Sequence, residues 1–171
     1  MTPYVAVGVR RALPDDADAI VRLRDEAAHW LLSKGIRQWT PGEVTRDDVL
    51  GWMSGGRLYV AHVADVVAGS VRLAWTDPEV WPGPDEDAAY VQSLVSARLA
   101  TARGVGRLLL THVEGVAAET GRTRTRLSCL RGNEPLERFY LAAGYTVVGA
   151  QEFDRPGWEP VTLLEKDLRV S

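Results

Sequence analysis

A glycine-containing turn that leads into an apolar helix is the part of this sequence best suited to chemistry. The turn, Arg103–Arg107 (RGVGR), lies within Leu94–Leu110, between a strand-like segment and the helix. Glycines leave backbone N–H groups unobstructed by Cβ. The first N–H groups of a helix have no intrahelical partner and carry partial positive charge. The turn therefore predicts an anion site, most often one for a phosphate group.

Two common phosphate-binding motifs do not fit this turn. The dinucleotide-binding fingerprint G-x-G-x-x-G requires a third glycine, and Leu109 stands at that position. A P-loop requires G-K-S/T, which the sequence lacks. These two motifs are therefore a poorer match to the turn.

Composition limits the class of protein and its partners. The 171 residues, 46% of them hydrophobic and 25% charged, suit one domain, 1–171, with a buried core. A net charge of −3 argues against nucleic acid or an anionic membrane as a partner. The single cysteine, Cys129, allows no intrachain disulfide, and neither a signal peptide nor a membrane-length apolar run is present. We expect a cytoplasmic protein.

Hydrophobic periodicity and turn residues predict seven strands and four helices in the order βααβββαβαββ. The predicted strands are Val5–Arg11, Leu58–Val63, Val67–Trp75, Ala88–Val95, Arg124–Leu130, Tyr145–Phe153 and Val161–Leu168. The predicted helices are one from Pro14 to Gly35, one from a Thr45/Asp48 capping box to Gly55, Val105–Thr120, and Asn133–Ala143. This order predicts an α/β (α+β) fold, in which a mixed sheet carries helices on both faces.

Three segments, taken in order, resemble the GCN5-related N-acetyltransferase (GNAT) family. They are the strand Tyr90–Val95 feeding the RGVGR turn, the segment Leu127–Asn133, and the run Asn133–Tyr145. The last is close to the family pattern N-x-x-A-x-x-F-Y-x-x-x-G-F. The resemblance implies a mostly antiparallel central sheet of about seven strands, with strands four and five splayed apart to admit the cofactor.

The resemblance also implies acetyl-CoA as the acyl donor, with no metal. The pantetheine arm would lie along Leu94 and Val95, and Asn133 would cap its helix and contact the cofactor amides. The pyrophosphate would bind backbone N–H groups in the stretch Ala102, Arg103, Gly104, Val105, Gly106 and Arg107. Two positions depart from the family pattern. Thr101 replaces the usual Gln or Arg, which leaves Arg98 or Arg103 to supply the charge, and Leu136 replaces the usual Ala.

The implied reaction is direct attack of an amine on the thioester. A backbone N–H near Leu94 or Val95 would stabilise the oxyanion, and Tyr140 would give a proton to the leaving thiolate. The general base stays open, because Gln92 and Ser93 on the fourth strand cannot act as bases. The alternatives are the acidic run Asp85–Asp87, His29 or His62, deprotonation through water, and an acceptor amine of low pKa. Cys129 is interpreted as a core residue.

The acceptor site is expected to include His29, Trp39 and Trp75, from the first two helices and the loop after the third strand. The loops that carry tryptophan suit a lid that covers a small-molecule amine. The acidic stretch Asp77–Asp87 suits an amine that is cationic. The alternatives are a protein N-terminal or lysine acetyltransferase and a non-catalytic acyl-CoA-binding domain. Relatives in the family are often dimers, so a homodimer is also considered.

Overall fold

Seven strands form one mixed sheet in the computed structural model, which describes residues 6–99 and 102–169. The strand order is β1-β2-β3-β4-β5-β7-β6, and every neighbouring pair is antiparallel except β4 and β5. The strands are β1 (Val7–Arg11), β2 (Leu58–Val63), β3 (Val66–Ala74), β4 (Ala88–Ser96), β5 (Arg124–Leu130), β6 (Thr146–Gln151) and β7 (Val161–Asp167). The predicted mixed, mostly antiparallel sheet is confirmed.

Four helices within the described residues pack on the sheet. They are α1 (Ala17–Ser33), preceded by a 3₁₀ turn at Pro14–Asp16, α2 (Arg46–Met53), α3 (Val105–Glu119) and α4 (Glu134–Ala142). The predicted order of elements is confirmed; Val5, where the first strand was expected to begin, lies outside the described residues. In the described part of the chain, no helix is long and apolar enough to cross a membrane.

Alternate residues of β2 show why helices lie on both faces of the sheet. Leu58 and Val60 pack in a cluster with Ile20 of α1. Their neighbour Tyr59 belongs to the larger core that contains Leu109 of α3. Because successive side chains of a strand point to opposite faces, α1 and α3 must cover opposite sides of the sheet.

The sheet opens between β4 and β5. These two strands are paired, in parallel, only where Ala88–Tyr90 of β4 lies beside Arg124–Arg126 of β5. Beyond this pairing, β4 continues to Ser96 and β5 continues to Leu130. The unpaired ends diverge, as the resemblance implied. The resulting cleft is the place where a ligand can enter between the strands.

A β-bulge in β4 lies at the edge of this cleft. Ser70 of β3 pairs with Val95 and Arg72 pairs with Gln92, so β4 has one extra residue between these positions. Ser93, within the bulge, adopts a left-handed backbone with a φ of 54°. A bulge leaves its extra residue outside the ladder and bends the strand.

Gly69 of β3 allows α3 to begin close to the sheet. A Cβ at this position would lie 2.7 Å from Val105 Cγ1 and 2.9 Å from both Leu109 Cδ1 and the Val95 carbonyl oxygen. No side chain fits in this space. The close approach places the N-terminus of α3 beside the end of β4.

Candidate active site

A cavity of about 800 Å³ fills the cleft between β4 and β5. This volume lies within the range of about 300–1,000 Å³ that is typical of small-molecule sites. Its walls come from the second half of β4, the end of β5, the first turns of α4, the connection between α1 and α2, and the loop between β6 and β7. The residues that line it include Gln38, Trp39, Glu43, Asp77, Val80, Gln92, Ser93, Leu94, Val95, Ser96, Cys129, Asn133, Phe139, Tyr140, Phe153, Trp158 and Glu159.

The glycine turn lies at the Ser96 end of the cavity. Gly104 is the N-cap of α3 and has a φ of 83°, a left-handed conformation that favours glycine. Helix geometry leaves the first N–H groups of α3 without intrahelical partners. A Cβ on Gly106 would lie 3.7 Å from Phe139 Cζ and 3.9 Å from Ser96 Oγ, and both of these residues line the cavity. The unpaired N–H groups therefore lie next to the cleft.

The other residues predicted for this turn differ in exposure. Ala102 is buried, at 4% exposure, whereas Arg103 and Arg107 are exposed. Val105 is buried against the sheet. Thr101, where the sequence departs from the family pattern, lies outside the described residues.

Leu94 and Val95 line the cavity on the β4 side, as the predicted path of the pantetheine arm requires. Asn133 lies opposite and is almost fully buried. Its Oδ1 accepts a hydrogen bond from the backbone N–H of Leu136 (3.4 Å), so it caps α4. Its Nδ2 donates to Oε1 of Gln38 (3.0 Å), which ties α4 to the α1–α2 connection across the cavity.

Tyr140 borders the cavity from α4. Its ring packs edge to face on Phe139 and Tyr145, with centroids 5.3 and 5.8 Å apart. Burial raises the pKa of Tyr140, and the neighbouring Cys129 thiol raises it further. The phenol is therefore protonated at neutral pH and can donate a hydrogen bond or a proton into the cavity.

Of the three residues predicted for the acceptor site, only Trp39 lines the cavity. His29 is exposed on α1. Trp75 is stacked by the guanidinium groups of Arg57 and Arg122, each 4.7 Å from its ring centroid. The structure does not bring His29 or Trp75 to the cavity wall.

A buried arginine connects Trp39 to the bulge. The Arg24 guanidinium lies 3.8 Å from the Trp39 ring centroid, and it donates hydrogen bonds to Ser93 Oγ and Glu43 Oε1, both at 3.0 Å. Burial lowers the pKa of Arg24, while Glu43 opposes this shift. Arg24 thus links Ser93 of the bulge to Trp39 and Glu43 of the α1–α2 connection.

Asp77 is a carboxylate of the cavity wall, in the loop after β3. Gln92 of β4 lines the cavity as well. Burial raises the pKa of Asp77 and nearby Glu79 raises it further, while Gln92 and Arg72 oppose the shift. A carboxylate with a raised pKa is better matched to accepting a proton near neutral pH.

The chain matches known proteins over most of its length. The model of the acetyltransferase (GNAT) family matches residues 24–145. The uncharacterized N-acetyltransferase YesJ of Bacillus subtilis (strain 168) is 30% identical over 166 residues, which cover 92% of this chain and 88% of YesJ. The chain belongs to the GNAT family. It is an acyltransferase, as the sequence motifs indicated.

Solved structures share the GNAT fold. A GCN5-related N-acetyltransferase from Kribbella flavida is 25% identical, with a TM-score of 0.73 and coverage of 95% of this chain and 98% of that one. YncA from Salmonella typhimurium, determined with its cofactor acetyl-CoA, is 20% identical, with a TM-score of 0.73 and coverage of 97% and 96%. The described cleft therefore belongs to a fold that accommodates this cofactor in YncA.

Several residues considered from sequence as bases lie elsewhere in the GNAT domain. Asp85 forms ion pairs with Arg124 (2.7 Å) and Arg126 (3.0 Å), at the closed end of the β4–β5 pair. The Nδ1 of His62 is 2.9 Å from the carbonyl oxygen of Ala64. Neither residue borders the cavity, whereas Asp77 does.

Cys129 lines the cavity from β5 of the GNAT sheet. Burial raises the pKa of its thiol to about 11, with a further contribution from Glu137. The thiol is thus protonated at neutral pH and is a poor nucleophile. Its environment agrees with the interpretation of Cys129 as a core residue.

Sequence reasoning missed the individual roles of Asp77 and Arg24. Asp77 is one member of an acidic loop, and Gln92, which lines the same cavity, is on the next strand. Arg24 reaches Ser93, which is 69 residues away along the chain. The sequence offers no local signal for either arrangement, since both depend on how the elements assemble.

Proposed function

We propose that this GNAT enzyme uses acetyl-CoA to acetylate a primary amine of a small molecule, by direct attack of the amine on the thioester. The observation that carries the proposal is the cleft between β4 and β5, with the N-terminus of α3 at one end and Tyr140 in its wall. A long ligand with a phosphate-bearing end and a reactive end suits this arrangement. The acetyl-CoA bound to YncA supports the choice of ligand.

Backbone groups make most of the proposed contacts with acetyl-CoA, the acyl donor. The free N–H groups at the start of α3 would hold the pyrophosphate, because a helix N-terminus attracts anions. The bulge at Ser93 interrupts the β3–β4 ladder next to Leu94 and Val95. Such an interruption frees backbone groups that could bond the pantetheine arm and the oxygen of the reacting carbonyl.

Tyr140 is the proposed proton donor. As the new C–N bond forms, the C–S bond of the thioester breaks and its electron pair stays on sulfur. The Tyr140 hydroxyl would give its proton to this thiolate. It would then be reprotonated by the proton that the amine nitrogen loses. Its raised pKa keeps the phenol protonated until that step.

A small acceptor fits the enclosure of the cavity better than a peptide. The Gln38–Asn133 hydrogen bond spans the side of the cavity next to α4. Phe153 and Trp158, packed edge to face with centroids 5.0 Å apart, close it from the β6–β7 loop. A peptide substrate needs an open groove for the residues that flank its amine.

The proposal is tested by titrating the protein with acetyl-CoA in a calorimeter and then assaying thiol release with two panels of acceptors. One panel holds small primary amines, and the other holds peptides with free N-termini or lysines. We expect acetyl-CoA to bind and at least one small amine to be acetylated, with the peptides inert. Failure to bind acetyl-CoA would remove the donor assignment. Acetylation of peptides alone would instead identify a protein acetyltransferase.

A further inference from the structure

The loop after β3 is built to hold Asp77 at the cavity. The carbonyl oxygen of Asp77 accepts hydrogen bonds from the backbone N–H groups of Val80 (3.3 Å) and Trp81 (2.8 Å). Trp81 is 5% exposed, and its ring packs edge to face on Tyr90 of β4 at a centroid distance of 6.0 Å. The loop backbone at Asp77 is thereby anchored to the strand that carries the bulge.

Asp77 and Gln92 both line the cavity. Gln92 immediately precedes Ser93, the bulge residue of β4. The Gln92 amide favours the ionised form of the carboxylate and so opposes the rise in the pKa of Asp77. The Asp77 carboxylate is therefore open to the same ligand space as the bulged part of β4.

Asp77 differs from the other two carboxylates of the cavity wall. Glu43 is paired with Arg24 at 3.0 Å, and Glu159 is exposed. Asp77 is half-buried and has no ion pair within 4 Å among residues 6–99 and 102–169. The nearby Arg72 guanidinium instead lies over the Trp52 ring, 5.5 Å from its centroid. A cation in the cavity would therefore find in Asp77 a carboxylate that is not engaged in any of these ion pairs.

We infer that Asp77 receives a proton from the ammonium form of the acceptor. The inference rests on the proposed function and names the acceptor class, an alkylamine that is protonated at neutral pH. Asp77 takes one proton, which leaves the nitrogen lone pair free to form the C–N bond, and then releases that proton to solvent. The nitrogen loses its second proton as the amide forms, which balances the proton taken up by sulfur.

The charged groups around Asp77 are compatible with this role. Glu79, in the same loop, disfavours the ionised carboxylate, whereas Arg72 of β3 and the Gln92 amide favour it. The net rise in the pKa of Asp77 makes its carboxylate a stronger base than that of a free aspartate. Alkylamines have a pKa near 10 and are mostly protonated at neutral pH, so they need such an acceptor.

The test compares Asp77→Asn with Glu79→Gln, which removes one charge from the same loop at an exposed position. The acceptors are the best alkylamine of the panel and a fluorinated alkylamine of low pKa, which is neutral at assay pH. We expect Asp77→Asn to lower kcat/KM for the alkylamine by about 100-fold or more. The loss should be only a few-fold for the low-pKa amine, and acetyl-CoA affinity should be unchanged. Glu79→Gln should stay within a few-fold of the parent for both acceptors.

A pH profile and a conservative variant complete the test. The acidic limb of kcat/KM for the alkylamine should disappear in Asp77→Asn, while Asp77→Glu should keep that limb and recover part of the rate. Equal losses for both amines in Asp77→Asn, or a rate close to the parent, would overturn the assignment of Asp77. If the parent protein binds no acetyl-CoA and acetylates no amine, the proposed function itself fails, and this inference fails with it.

Discussion

Two tyrosines at the end of α4 are in contact but have different partners. Tyr140 faces the cavity, whereas the hydroxyl of Tyr145 points into the core. Tyr145 donates to Glu114 Oε2 (2.9 Å) and accepts from Thr125 Oγ1 (2.8 Å). Lys166 Nζ in turn donates to Glu114 Oε1 at 3.0 Å. The same hydroxyl group is thus available for chemistry in one residue and committed to a buried network in the other.

Exchanging each tyrosine for phenylalanine should separate the two roles. We expect Tyr140→Phe to lower kcat by about 100-fold, since a general acid typically contributes at least that much, with acetyl-CoA affinity and stability near those of the parent. Tyr145→Phe should keep kcat but lower the free energy of unfolding by about 1–3 kcal/mol, because buried Glu114 loses a donor. Steady-state kinetics and urea denaturation measure both effects. The reverse pattern would exclude Tyr140 as the proton donor.

Local motifs indicated those site residues whose position depends on one element. Asn133 and Tyr140 follow from a strand–helix motif, and the structure places both at the cavity. Asp77 could not be singled out, because its place in the cavity wall depends on how the loop after β3 packs against the neighbouring strand β4. His29 and Trp75 were grouped with Trp39 by their place in the chain, and side-chain direction separates them. The sequence therefore predicts the element to which a residue belongs better than it predicts the direction of that residue's side chain.

At the scale of elements, α3 offers a matched test of the proposed phosphate site. Gly106 and Gly115 are both helical, but Gly106 adjoins the cavity, while a Cβ on Gly115 would meet nothing within 4 Å. A Cβ on Gly106 also finds ordinary contact distances within the protein. Both glycines can therefore become alanine without distorting the free protein.

We expect Gly106→Ala to weaken acetyl-CoA binding by about tenfold or more, because the methyl group occupies space at the rim next to the bound donor. Gly115→Ala should leave the affinity unchanged and raise the free energy of unfolding by about 0.5–1 kcal/mol, as alanine favours a helix interior over glycine. Calorimetric titration and thermal denaturation provide the two measurements. Equal affinities in both variants would argue against close approach of the donor at Gly106.

The 3₁₀ turn before α1 is held to β1 by an ion pair. Asp16 accepts hydrogen bonds from Arg10 Nη1 (2.7 Å) and Nη2 (3.0 Å), and from the backbone N–H of Leu13 (2.7 Å). Arg10 lowers the pKa of Asp16 despite the opposing effect of burial. A carboxyl whose pKa is lowered by folding stabilises the protein above its unfolded pKa and loses this effect as the pH falls through the folded pKa.

Replacing Asp16 should therefore have a pH-dependent effect on stability. We expect Asp16→Asn to lower the free energy of unfolding by about 1–3 kcal/mol at neutral pH, the usual range for a charged hydrogen bond. The difference from the parent should shrink below about pH 4, where the unfolded carboxyl is protonated. Asp15→Asn, at an exposed neighbouring position, serves as the control. A difference that stays constant from neutral to acid pH would contradict the ion-pair account.

Helix boundaries were predictable where caps are local. Thr45 and Asp48 form the expected capping box, with the Thr45 N–H donating to Asp48 Oδ2 (2.8 Å) and the Asp48 N–H donating to Thr45 Oγ1 (3.1 Å). The limits of β6 were less accurate: it spans Thr146–Gln151, not Tyr145–Phe153. Tyr145 enters the core instead of the ladder, and Phe153 packs on Trp158 in the following loop. Tertiary packing decides where that strand begins and ends.

At the scale of the whole molecule, the cleft divides the sheet into two parts. One part contains β1 to β4, and the other contains β5, β7 and β6. Among the described residues, the strands of the two parts pair with each other only at Ala88–Tyr90, and α3 contacts strands of both parts. A ligand in the cleft would touch both parts at once, so its binding should stabilise the molecule as a unit.

Acetyl-CoA should therefore raise the melting temperature and slow hydrogen exchange on both sides of the cleft. At about 100 times the Kd, linkage gives about 2.7 kcal/mol, or roughly 5–11 °C for a chain of this size. Added protection is expected at the end of β4, the start of α3 and the junction of β5 with α4. The edge strand β6 forms no part of the cavity and should serve as an internal control. Protection confined to one side of the cleft would show that the donor does not bridge the two parts of the sheet.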